Sequence, residues 1–155
     1  MSAPKNLPVV GEIKVDGVPF DLDEAYDALK VDPTHIIDQL TEQPALYAYW
    51  SIISEEADVL LLTSKKRLDR VEADMDDRLR REARDDEEKV TEAVIQRRIL
   101  RESDYEEAEE TMIEARRNAS YLGVIRRSLE QRLSALIAVN NRDRSEMSAT
   151  GREGG

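Results

Sequence analysis

The sequence predicts an all-α fold: long coiled-coil-like helices in an oligomeric helical bundle, with a small N-terminal hairpin or extended segment. Three observations carry this expectation. From Ala45 to Asn140 there is no proline and a single glycine, Gly123. Of the 97 residues in 44–140, 53 are Ala, Glu, Lys, Leu or Arg, the composition of long or coiled helices. The apolar residues of that stretch recur at steps of three and four, the period of a narrow helical seam. At 155 residues the chain is one domain's worth, or two small ones.

Composition divides the chain. Pro4, Pro8, Pro19 and Pro33 precede the helical stretch and Pro44 opens it. Residues 1–32 form an acidic segment expected to hold a hairpin and a short helix. Residues 33–140 form the helical domain, and residues 141–155, polar and ending in glycine, are expected to be a disordered tail.

Asp16-Gly17 lies between Ile13-Lys14-Val15 and Val18-Pro19-Phe20. Asp-Gly between short alternating runs is a hairpin signal, because a type I′ turn needs positive φ at both central residues. Pro19 confines its strand to an edge. A lone hairpin is marginal, so it must pack on something else. Asp21 to Lys30 reads as a short helix, and Asp32-Pro33 as a cap and first turn for Ile36, Ile37 and Leu40. Pro44 reads as the start of a long helix with the ladder Leu46, Trp50, Ile53, Ala57, Leu61, Ser64, Leu68, Val71, Met75, Leu79. Continuous to residue 84, it would be roughly 60 Å long and would need an antiparallel partner from its own chain or another subunit.

Between Arg80 and Lys89 the ladder fades. Asp85 to Glu88 suit the first turn of a new helix, where carboxylates meet the positive end of the dipole. No proline or glycine forces a break, so continuity stays open. Val90, Val94, Ile95, Ile99 and Leu100 mark the next apolar stretch. Ser103-Asp104-Tyr105-Glu106 reads as a capping box. It opens the most regular ladder: Tyr105, Ala108, Met112, Ala115, Ala119, Leu122, Arg126, Leu129, Leu133, Leu136. Its length and regularity point to a homo-oligomer, with Trp50, Tyr105, Met112, Leu122, Leu129, Leu133 and Leu136 as oligomerisation residues.

Composition excludes much chemistry. Cysteine is absent and His35 is the only histidine, which removes thiolate zinc sites, Cys nucleophiles and most general-base schemes. The six glycines cannot build a phosphate-binding loop or a dinucleotide fingerprint. Asp74, Asp76, Asp77 and Glu106 to Glu110 lack a calcium-loop spacing and read as solvated faces. No apolar run is long enough to span a membrane, and the N-terminus lacks a signal core. These exclusions point to a soluble cytoplasmic protein that is not an enzyme and uses no cofactor or metal.

Net charge is -11. Two basic clusters stand against it: Lys65, Lys66, Arg67 and Arg70 on the first long helix, and Arg116, Arg117, Arg126, Arg127 and Arg132 on the last. One reading is solvated faces tied by local pairs. The other is a symmetric oligomer that gathers the clusters into a surface for phosphates. Tyr47, Tyr49 and Trp50 read as interface anchors, with a base-stacking role as the alternative.

Leu46-Tyr47-Ala48-Tyr49-Trp50, an L-Y-x-x-W at a helix head, is followed by basic residues. Tyr121-Leu122-Gly123-Val124-Ile125 follows much later inside a helix and leads to a Leu-rich end. This order resembles the UvsY recombination mediators of T-even-type phages over residues 35–145. The resemblance implies a small helical protein that forms a ring-like homo-oligomer and binds single-stranded DNA. Such a protein helps a RecA-like recombinase displace a single-strand-binding protein in a phage-infected bacterial cell. The DNA-binding residues it implies are Lys65, Lys66, Arg67 and Arg70; the charge distribution adds Arg116, Arg117, Arg126 and Arg127 of the second cluster. A phage scaffold or coiled-coil adaptor with no nucleic-acid role is the alternative.

Overall fold

In a computed structural model, which describes residues 11–150, a two-stranded antiparallel hairpin precedes four helices. The order is β1 (Glu12–Val15), β2 (Val18–Asp21), α1 (Leu22–Leu29), α2 (Ile36–Asp85), α3 (Glu92–Ile99) and α4 (Ser103–Thr150). The chain divides into two compact units. One joins Met1–Glu55 with Ser120–Gly155, and the other is Glu56–Ala119. α2 and α4 contribute to both.

In the first unit, Asp16 (φ 50°) and Gly17 (φ 76°) make the tight turn between β1 and β2. Both φ values are positive, as the Asp-Gly pair demands. The register pairs Val15 with Val18 and Lys14 with Pro19. Beside a two-residue turn Val15–Val18 is the hydrogen-bonded pair, so Pro19 falls in a non-bonded pair, where its missing N–H removes no ladder bond. β1 turns Ile13 and Val15 into the interior. Asp21 caps α1: its Oδ1 accepts from the Asp23 N–H at 2.8 Å. Leu22 and Ala25 are the buried side of that helix.

α2 begins eight residues before Pro44 and keeps it inside the helix. The sequence separates two helices there, and the structure joins them. Ile36, Gln43 and Trp50 are all buried and lie seven residues apart, so one face stays inward through the proline. That burial holds the helix together although Pro44 cannot donate to the Leu40 carbonyl. Against this face run Leu122, Ile125, Leu129 and Leu136 of α4, all buried. Gln43 Nε2 donates to the Leu129 carbonyl (2.8 Å), Tyr47 Oη to Glu130 Oε1 (2.8 Å), and Arg126 Nη1 to Glu55 Oε1 (3.0 Å). From Gln39, which meets Arg132, to Glu55, which meets Arg126, the partner numbers on α4 fall as those on α2 rise, so the two helices are antiparallel.

In the second unit, Met75 and Leu79 of α2 and Ile95 and Ile99 of α3 form a buried cluster, with Val71, Val90 and Tyr105 packed on it. Small residues, Ala57, Ala83, Ala108 and Ala119, complete the interior. α2 ends in a Schellman motif: Glu88 N–H bonds the Ala83 carbonyl (2.8 Å) and Glu87 N–H the Arg84 carbonyl (3.2 Å). Glu87 takes the left-handed position at φ 53° without being glycine. The break after Asp85 is therefore real, and Asp86 to Glu88 belong to a C-terminal cap. They do not form the first turn of a helix. The new helix, α3, starts after Thr91.

Three further expectations are corrected. The first internal bond of α4 runs from the Glu106 N–H to the Glu102 carbonyl, so Glu102 is the cap and the Ser103 box is one residue out. α4 continues to Thr150, past the tail boundary at residue 141; residues 151–155 lie outside those described. Leu133, expected on the ladder, is 39% exposed, and Arg132 is buried in its place. The stripe steps from Leu129 to Arg132 to Leu136. Arg132 faces the Lys30 carbonyl, Gln39 and Gln43, so α2 and the α1–α2 connection cover its side of α4.

Candidate functional site

The proposed DNA-binding residues fall in both units. Lys65, Lys66, Arg67, Arg70, Arg116 and Arg117 lie in Glu56–Ala119, while Arg126 and Arg127 lie in the other unit. Two of the eight are engaged. Arg67 Nη2 is 3.2 Å from Glu107 Oε1, and Arg126 pairs with Glu55. The other six are exposed and make no ion pair among the described residues. Other arginines of the same stretch are spent internally. Arg78 bonds Glu102 at 2.7 Å, Arg98 bonds Glu88 at 2.8 Å, and Arg80 bonds Asp76 at 2.7 Å and also Glu92. Their carboxylate partners raise the pKa of Arg78 and Arg80.

The structure does not bring the two clusters side by side in the second unit. The Arg67–Glu107 pair sets Lys65–Arg70 level with Glu106–Glu110 of α4. Arg116 lies nine residues beyond Glu107, about 13 Å along the helix.

Four of the seven residues expected at an oligomer interface lie in the chain's own interior. Trp50, Leu122, Leu129 and Leu136 are buried, Tyr105 and Met112 are half-buried, and Leu133 is exposed. Tyr49 is 53% exposed and stands edge-on to Trp50, with ring centroids 5.3 Å apart. A Cβ at Gly123 would meet nothing within 4 Å, so the chain's own packing does not require that glycine.

Sequence reasoning missed the buried polar centre of the first unit. Arg132 is 8% exposed. Its Nε donates to the Lys30 carbonyl (3.2 Å), its Nη2 to Gln39 Oε1 (3.0 Å) and its Nη1 to Gln43 Oε1. Among the described residues no carboxylate pairs with it, and burial pushes its pKa down, partly offset by Glu42. Gln39 also donates to the Asp32 carbonyl (2.6 Å) and accepts from the Asp32 N–H (3.0 Å). The network thereby ties the α1–α2 connection to both long helices. Its readable signal was the i, i+3, i+7 spacing of Leu129, Arg132 and Leu136.

On the surface of that connection, Asp32 Oδ1 accepts from the Thr34 hydroxyl (2.6 Å) and N–H (2.8 Å), and Asp32 Oδ2 lies 2.9 Å from His35 Nδ1. The Thr34 bonds and the His35 contact hold the Asp32 pKa down at about 2. The same bond from Asp32 raises that of His35.

Among the described residues no group of three His, Asp or Glu side chains could hold a metal ion, and no helix is long and apolar enough to cross a membrane. Compared with protein-family models, curated proteins and solved structures, the chain matches none.

Proposed function

We propose that this chain is a non-enzymatic recombination mediator. As a homo-oligomer it binds the phosphates of single-stranded DNA and helps a RecA-like recombinase displace a single-strand-binding protein, in the cytoplasm of a phage-infected bacterium. The observation that carries this reading is the exposure of Lys65, Lys66, Arg70, Arg116, Arg117 and Arg127 with no ion pair among the described residues, in a chain that pairs Arg78, Arg80 and Arg98 internally. The resemblance adds support. Leu46–Trp50 and Tyr121–Ile125, which carry it, belong to one unit and lie on the two helices tied by the Tyr47–Glu130 and Glu55–Arg126 bonds.

A scaffold or adaptor with no nucleic-acid role is the second reading. It is favoured by the acidic run Glu106–Glu110, which sits level with Lys65–Arg70 and offsets their charge. Gel retardation of a single-stranded oligonucleotide at low salt separates the two. The mediator retards it, and Lys65→Ala with Arg116→Ala weakens the shift. An unretarded oligonucleotide at saturating wild-type protein leaves the scaffold reading.

A further inference from the structure

Two outward stripes in the Glu56–Ala119 unit have complementary patterns. On α2, Glu56, Val59, Leu62, Lys66 and Arg70 follow steps of three and four and share one face. All are exposed, Val59 and Leu62 each by 53%. On α4, Glu106, Glu110, Ile113 and Arg117 follow the same steps, and Ile113 is 52% exposed. None of the charged residues in either stripe makes an ion pair among the described residues. From N to C, the α2 stripe runs acidic, apolar, apolar, basic, basic. From C to N, the α4 stripe runs basic, apolar, acidic, acidic.

Laid antiparallel, the stripes match. Glu56 meets Arg117, Val59 and Leu62 meet Ile113, Lys66 meets Glu110, and Arg70 meets Glu106. The Lys66–Glu110 and Arg70–Glu106 pairs have equal spacing, four residues on each helix. Glu56 to Lys66 exceeds Glu110 to Arg117 by about 4.5 Å of helix rise, which the long Arg117 side chain spans. Both stripes are exposed on the chain itself, away from the seam buried between α2 and α4. The complement of each stripe is present on the same chain.

We propose that a second copy of this chain is the partner, with the outer stripe of α4 in one copy seated antiparallel on the outer stripe of α2 in the next. This rests on the homo-oligomeric part of the reading above, and DNA binding does not enter it. The two patches differ, so the contact is head-to-tail: each added copy leaves one patch of each kind free until a ring closes. Lys66, Arg70 and Arg117 then hold the neighbouring subunit, and Lys65, Arg116 and Arg127 remain for phosphate.

The test is light scattering on the full chain and two charge reversals, Lys66→Glu with Arg70→Glu, and Glu106→Lys with Glu110→Lys. The wild type is expected at a multiple of 17.7 kDa. Each reversal alone should fall to 17.7 kDa with its helical circular dichroism intact. An equimolar mixture of the two, or all four changes in one chain, should restore assembly, because the reversed stripes again match. Ile113→Asn, an exposed position that leaves every charge in place, should weaken association at least tenfold. A wild type that stays at 17.7 kDa across micromolar concentrations overturns the proposal. So does a reversal or Ile113→Asn that keeps the wild-type mass, or a mixture that stays dissociated. Loss of only the first reversal indicates a symmetric α2–α2 contact and overturns it equally. An intact mass without DNA retardation sinks the mediator reading alone.

Discussion

Arg132 is the residue on which the first unit turns. Its guanidinium is buried without a carboxylate, and three neutral oxygens solvate it: the Lys30 carbonyl and the side-chain carbonyls of Gln39 and Gln43. Arg132→Met removes the donors and strands those acceptors, at a cost of about 3 kcal/mol in urea unfolding. Adding Gln39→Leu and Gln43→Leu should recover part of the loss, because no buried acceptor is then left unpaired. An unchanged midpoint for Arg132→Met would show that the network carries no stability. At the surface, Asp32 and His35 give opposite pH dependences. The lowered Asp32 pKa contributes stability that is present above the ordinary carboxylate range and is lost as pH falls toward about 2. The raised His35 pKa contributes stability that is present below 6.5 and is lost as pH rises through the raised value. NMR titration should find His35 protonated to higher pH than a free histidine, and Asp32→Asn should return it toward the ordinary value.

At the scale of elements, α2 contains a cost that its packing overrides. A proline in a helix interior removes one bond and crowds the preceding turn, about 3 kcal/mol in an isolated helix. Ile36, Gln43 and Trp50 keep the turns on either side of Pro44 in register. Pro44→Ala should therefore stabilise the protein by about 1–3 kcal/mol and raise the melting temperature. A destabilised variant would mean that two helices meet at Pro44. The other end of α2 stops for a local reason. The Schellman bonds satisfy the last carbonyls, and Glu87 accepts a left-handed backbone that glycine would adopt without strain.

For the whole molecule, the proposed assembly would couple to charge. A chain at -11 repels DNA at long range, so single copies should bind it poorly. In the proposed contact, Glu106 and Glu110 of one copy would lie against Lys66 and Arg70 of the next, and the remaining cations would repeat from subunit to subunit. Weak sites then sum through multivalency. Fluorescence anisotropy against salt should give a log–log slope of about -0.7 per phosphate neutralised on single strands, with little sequence preference. The dissociated charge reversals should lose both the affinity and the slope. A salt-independent affinity would contradict binding through phosphates.

What the sequence determined by itself was local. Asp16-Gly17 specifies its turn because only the φ values of two adjacent residues are at stake, and the three-and-four ladders specify long helices because burial of one face has the helix period. The ladder positions Trp50, Ile53, Ala57, Met75, Leu79, Ala108, Leu122, Leu129 and Leu136 are all buried. Tertiary structure alone decided what lies across the ladder. Apolar attraction has no direction, so the same period serves a partner subunit or the chain's own returning helix. Here it is the latter within each unit. Tertiary structure also decided that Arg132 enters the interior while Leu133 leaves it. Three oxygens brought from α2 and the α1–α2 connection settle that choice, because they hydrogen-bond the guanidinium that enters.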